Sequence, residues 1–192
     1  MKSFRSRSLA LLALVAFAAN PVSAQVVNGG FETGDFTGWT QGGNTGFTGV
    51  TGSNAIHSGS YGAFFGPVGS LGFLSQPIAT TPGESYALSF WLKNLSDGTP
   101  NSFDVSWNGS SLFSLSNSPP FAYTQYNFNV LGGAGVSTDL QFSFRHDPVV
   151  YYLDDVSLTR IESEVVPEPA TMSLLATGLA GMAAARRRRK KA

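Results

Sequence analysis

The chain has 192 residues, no cysteine and a formal net charge of zero, with only 12% of its residues charged. Nine of its twelve basic residues lie in the two ends, so the stretch from Gln25 to Val166 holds three basic against eleven acidic residues, a net charge of about minus eight. That balance excludes nucleic acid as a partner, since phosphate binding needs a basic surface. The absence of cysteine leaves the core, a metal, or both to hold the fold.

In chain order, Lys2, Arg5 and Arg7 precede the apolar run Leu9 to Ala19, and Val22-Ser23-Ala24 offers a small-residue cleavage site. This is the order of a secretory signal peptide over residues 1–24, with a run too short to span a bilayer. From Asn28 to Gly72 glycine is frequent and a helical period is absent. Period-two alternation then marks half-buried strands. "SYALSFWLK" sets Tyr86, Leu88, Phe90 and Leu92 against Ala87, Ser89, Trp91 and Lys93. "SFDVSW", "YNFNV" and "DLQFSFR" turn Phe103, Val105 and Trp107, then Tyr126, Phe128 and Val130, then Leu140, Phe142 and Phe144 toward the core. Turn sequences such as "TTPGE", "LSDGTP", "SNSPP" and "LGGAG" separate them. The spacing predicts an all-β, antiparallel sandwich or jelly roll over residues 25–161, with a linker at 162–166.

The chain closes on Pro167, Glu168 and Pro169, an apolar stretch over about 170–185, and the basic residues Arg186, Arg187, Arg188, Arg189, Lys190 and Lys191. The stretch is near the lower limit for a membrane span, and the basic cluster after it acts as a cytoplasmic stop-transfer anchor by the positive-inside rule. Residues 167–192 resemble a PEP-CTERM sorting signal. That resemblance implies an exported protein of a Gram-negative, exopolysaccharide-producing bacterium, held in the inner membrane as a precursor with a periplasmic domain. An exosortase-type enzyme would handle it before it reaches the cell surface or matrix.

The body resembles the galactose-binding-like jelly rolls of carbohydrate-binding modules in "VVNGGFETGDFTGW", "SGSYGAFFG", "LSQPIATTPGESYALSFWLKN" and "YYLDDVSL". The resemblance implies a structural calcium held by Glu32 and Asp154, with Asp155 as a neighbour and backbone carbonyls completing the shell. Gly29 and Gly30 supply the flexible backbone such a site needs.

Trp91 stands on the polar side of its strand, where a sugar ring could stack, unless a loop such as "SNSPPFAY" with Phe121 and Tyr123 covers it. Asn127, Gln141, Ser143 and Arg145 also point away from the core and could hydrogen-bond sugar hydroxyls if their strands are neighbours. Trp39 is expected to plug the sandwich edge. His57 and His146 are too few for a zinc site. "RHD" at Arg145 to Asp147 lacks a nucleophile motif, and strand neighbours face opposite ways. By the same rule Asp154 and Asp155 should diverge, and Asp104, Asp139 and Asp147 show no pairing for glycoside hydrolysis. The expectation is a non-enzymatic envelope or matrix protein contacting exopolysaccharide. The alternative is a structural surface or biofilm protein without specific sugar binding.

Overall fold

Alternating apolar residues on the longer strands leave each of them one oily side, and two sheets closing on one another bury those sides. The computed structural model describes residues 25–162 and, beyond them, Gly178, Leu179, Met182 and Arg186, which are helical and exposed. The expected signal peptide, the Pro-Glu-Pro motif, most of the expected membrane span and the basic tail after Arg186 lie outside the described residues. Among the described residues no helix is long and apolar enough to cross a membrane. The chain divides into two compact units, Met1–Arg160 and Ile161–Ala192.

The first unit holds β1 (Thr40–Gly43), β2 (Thr48–Thr51), β3 (Gly62–Phe65), β4 (Gly72–Ala79), β5 (Ser85–Asn94), β6 (Asn101–Trp107), β7 (Ser110–Ser116), β8 (Phe121–Leu131), β9 (Ser137–His146) and β10 (Tyr151–Arg160). They form two five-stranded antiparallel sheets, ordered β1-β4-β9-β6-β7 and β2-β3-β10-β5-β8. The outer surface of the first sheet is called here the front face, and that of the second the back face.

The predicted alternation sets the core. Tyr86, Leu88, Phe90 and Leu92 of β5 meet Phe103 and Val105 of β6 and Leu140, Phe142 and Phe144 of β9 between the sheets. Phe90 stands edge-on to Phe142 across the gap, ring centroids 5.5 Å apart, a favoured aromatic geometry. Trp39 stands beside β1, the outermost strand of the first sheet, and plugs the core there: it stacks on Phe31 and packs against Phe142, its indole N–H donating to the Asn28 carbonyl. His146 at the end of β9 is fully buried, its Nε2 2.9 Å from Asn94 Oδ1, while Arg145 beside it faces out.

The N-terminal segment runs back to the last strand. The Val156 N–H donates to the Gly29 carbonyl, and a Cβ on Gly29 would lie 1.9 Å from the Val156 oxygen, so only glycine permits this approach.

Candidate functional site

The two outer faces differ in what covers them. On the back face the β2–β3 connection, residues 52–61, folds over β10 and β5. Its backbone N–H groups at His57 and Ser58 donate to Asp154 Oδ2 at 2.8 and 3.2 Å, and those at Ser60 and Tyr61 donate to the Glu32 carboxylate at 3.0 and 3.1 Å. Gly59 turns the segment with φ 69°, and a Cβ there would lie 2.3 Å from Glu32 Oε1.

Asp154 and Asp155 do not diverge as strand neighbours should. A bulge interrupts the β10–β5 register between Asp154 and Ser157, and Asp155 adopts φ 50°, which turns both carboxylates to the same loop. Asp155 Oδ2 lies 2.6 Å from His57 Nδ1 and its Oδ1 accepts from the Ser58 hydroxyl at 2.7 Å. Asp154 is fully buried, and burial pushes its carboxyl up to about 6 against the lowering effect of its backbone donors.

Calcium needs several oxygen ligands, and around Gly30 the Asp154 and Asp155 carboxylates are of that kind, whereas Glu32 turns its Cγ there and both its oxygens to the Ser60 and Tyr61 N–H groups. A Cβ on Gly30 would meet Asp155 Oδ1, Glu32 Cγ and Asp154 Oδ1 at 3.7, 3.7 and 3.8 Å, so the glycine leaves a small space between these side chains. Asp154 Oδ1 accepts only the Asp155 N–H and keeps a lone pair. Among the described residues no group of three or more His, Asp or Glu is arranged to hold a metal, so an ion here would draw much of its shell from backbone carbonyls and water.

The same loop decides what Trp91 can do. His57 lies flat on the indole, ring centroids 3.9 Å apart, and Tyr123 stands across His57 while its hydroxyl donates to the Ala55 carbonyl. Trp91 is therefore half-buried beneath the 52–61 loop; the "SNSPPFAY" segment contributes only Tyr123.

The four expected sugar contacts fall on opposite sides of the sandwich. Trp91 of β5 and Asn127 of β8 share the back face, because β5 and β8 are paired there. Gln141 and Arg145 of β9 lie on the front face, because β9 is paired with β4 and β6. Alternation gave the outward direction correctly; only the strand order shows that outward means two different surfaces.

The front face forms two polar rows across its strands. One runs Gly42, Phe73, Ser143, Asp104, Ser114; the next runs Thr40, Ser75, Gln141, Ser106, Ser111. Phe73 is the aromatic side chain in these rows. Its ring tip reaches over Gly42, where a Cβ would sit 2.1 Å from Phe73 Cζ, so the missing side chain makes room for the half-buried ring on this face. Sequence reasoning missed Phe73: the residue that makes room for it is 31 positions earlier and becomes its neighbour only through β-pairing.

Around the ring stand fixed polar groups. Gln141 donates to the Ser143 hydroxyl at 3.0 Å, and the Ser114 hydroxyl donates to Asp104. At the end of β9, Arg145 holds Asp147 in a two-pronged ion pair, Nη2 to Oδ2 at 2.6 Å and Nε to Oδ1 at 3.2 Å. The Arg145 hydrogen bond keeps the Asp147 carboxyl below the usual carboxylate range. An outward-facing aromatic ring beside hydroxyl, amide and paired charged groups matches the two surfaces of a sugar ring, its apolar C–H face and its equatorial hydroxyls.

The fold is a two-sheet antiparallel β-sandwich of jelly-roll type. The chain belongs to the carbohydrate-binding domain family, whose match spans residues 23–147. Residues 165–189 match the PEP-CTERM protein-sorting motif, which marks an exported, membrane-processed protein. Together the two matches support an exported protein that binds carbohydrate. Among solved structures, the CBM22-1 xylan-binding domain of Paenibacillus barcinonensis Xyn10C is similar with TM-score 0.53 at 16% identity over 76% of this chain and 99% of its own. The K1 cleaved adhesin domain of Lys-gingipain from Porphyromonas gingivalis W83 gives 0.54 at 13% identity over 73% and 99%. The enzymatically active domain of bacteriophage CBA120 tailspike protein 4 gives 0.54 at 16% identity over 71% of this chain, which spans only 21% of the tailspike chain. At such identities these structures speak for the fold. No curated protein matches the chain.

Proposed function

We propose that this is a non-enzymatic envelope or matrix protein that an exosortase-type enzyme sorts through its tail, and that its front face grips extracellular polysaccharide. The observation that carries the reading is the Phe73 ring laid over Gly42 beside Ser143, Gln141 and Asp104. In it the ring takes the apolar face of a sugar, and the β9 and β6 side chains take its hydroxyls. Carboxylates engaged as partners favour binding over hydrolysis: Asp104 accepts from Ser114, and Asp147 is tied to Arg145. A structural calcium at Glu32 and Asp154, on the opposite side, would pin the chain's start to its last strand without touching the sugar. In the precursor, the apolar stretch would hold the protein in the inner membrane and Arg186 to Lys191 would stay cytoplasmic.

The second reading, a structural matrix protein without specific sugar binding, draws on the His57 lid over Trp91. The test is retention of the full-length protein on a panel of neutral polysaccharides, beside Phe73→Ala and Trp91→Ala variants. Retention lost in Phe73→Ala and kept in Trp91→Ala supports the front-face reading. Retention by none of the polysaccharides favours the structural one.

A further inference from the structure

The back face carries one feature that neither the calcium site nor the front face uses. Strand register sets Phe64 of β3 beside Tyr152 of β10, and Tyr152 beside Lys93 of β5. Tyr123 of the adjacent β8 completes the row, with the Lys93 ammonium 5.7 Å from the Tyr123 ring centre and 5.2 Å from that of Tyr152. Four neighbouring strands at ~4.8 Å spacing make a row roughly 14 Å long, the scale of a short run of sugar rings. Phe64 repeats the device of the front face: its ring lies over Gly49, where a Cβ would come 2.7 Å from Phe64 Cζ.

The charges in this row are uneven. Of the three cations between Gln25 and Val166, Arg145 is paired with Asp147 and Arg160 with Glu84, whereas Lys93 has no carboxylate within ion-pair distance among the described residues. The acidic groups nearby are already engaged. Asp155 is matched by His57 and Ser58, and Asp154 takes three backbone N–H groups. The half-buried Lys93 ammonium therefore lies between the half-buried Tyr123 ring and the buried Tyr152 ring, with its charge unanswered among the described residues. A ring that stacks on an aromatic and carries its own carboxylate answers both features at once.

We propose that the back face holds a second glycan subsite, centred on Lys93 and flanked by Tyr123 and Phe64, that takes a carboxylate-bearing sugar such as a uronate. The subsite is separate from the front face and does not depend on it. With two faces loaded, one molecule bridges two polymer strands, the geometry of a matrix cross-linker.

The test is affinity electrophoresis of the full-length protein, in non-ionic detergent, through gels containing alginate, polygalacturonate or hyaluronan, and through the same polymers after carboxyl reduction. At least one acidic polymer should retard the protein, and carboxyl reduction should abolish the effect. Lys93→Gln should weaken the retardation about tenfold, while Lys93→Arg and Phe73→Ala retain it. Unchanged melting temperatures verify that the variants are folded. Absence of retardation in every acidic gel overturns the subsite, as does equal retardation of wild type and Lys93→Gln. Loss in Phe73→Ala with retention in Lys93→Gln also overturns it, by moving acid recognition to the front. Failure of the front-face reading shows separately, as neutral-polysaccharide binding that Phe73→Ala leaves intact.

Discussion

The two outer faces of the sandwich are built from strands of the same alternating pattern, yet one is open and the other is roofed. On the front, the serines, Gln141 and Phe73 remain where the pleat puts them. On the back, the 52–61 segment crosses β10 and β5, stacks His57 on Trp91 and closes its backbone onto Asp154 and Glu32. The same residue type thus has different prospects on the two sides. The large indole on the back is a floor for a loop, while the smaller phenyl on the front is the platform we propose for a sugar. Exposure of an aromatic is decided by what the chain lays across it, and a glycine under a ring says more than the ring's own strand context.

The comparison can be broken most forcefully at its roofed side. Asp154→Ala would strand three backbone donors and should cost about 3 kcal/mol of stability, read as a large drop in the denaturation midpoint. A loss under about 0.5 kcal/mol would mean that the loop is not anchored there. Next in size is metal removal. If calcium sits at Glu32 and Asp154, EGTA should lower the melting temperature by roughly 5 to 10 °C at calcium levels about a hundredfold above its dissociation constant. No shift would leave the carboxylates to the backbone donors alone.

The open side is sharpened by Phe73→Ala, which should weaken neutral-glycan binding about tenfold or more with little change in melting temperature, because the ring rests on the surface of the sheet. Gly42→Ala should do the same indirectly, by pushing the ring tip off Gly42; unchanged affinity would show that the ring's seat over Gly42 is irrelevant. The smallest expected effect is a pH slope. Burial, against the pull of the nearby Ser96 backbone and Asp147, lowers the affinity of His146 for a proton below its ordinary value of 6.5. The unfolded chain then binds a proton that the folded one refuses, so stability falls as pH drops below about 6.5. His146→Gln should flatten that slope in urea titrations at pH 7 and pH 5; an identical slope would remove His146 from the account.

Much of this architecture was legible from residue periodicity. Tyr86 to Leu92, Phe103 to Trp107 and Leu140 to Phe144 each declared their inward side, since a half-buried strand must alternate. The edge strands β1, β2 and β7 were not visible, because "TQGG", "TGVT" and "SSLFSLS" are short or serine-rich and carry little alternation. Trp39 could be read as a plug near an edge, but its partner Phe142 could not, since only the fold brings β9 to it. Of the site, the outward direction of Gln141 and Arg145 could be read, but not their separation from Trp91 and Asn127, which depends on strand order. The shared aim of Asp154 and Asp155 was hidden for a related reason: a bulge with a left-handed residue leaves no mark in a two-residue acidic pair.

The account turns on which face meets sugar, and the most direct measurement is a titration of the nitrogen-labelled protein with a neutral oligosaccharide that it retains, followed by amide chemical shifts. The account predicts shifts at Phe73, Gln141, Ser143 and Asp104, with His57, Trp91 and Asn127 unmoved. Shifts confined to His57, Trp91 and Asn127 would contradict it and make the roofed face the one that opens for ligand.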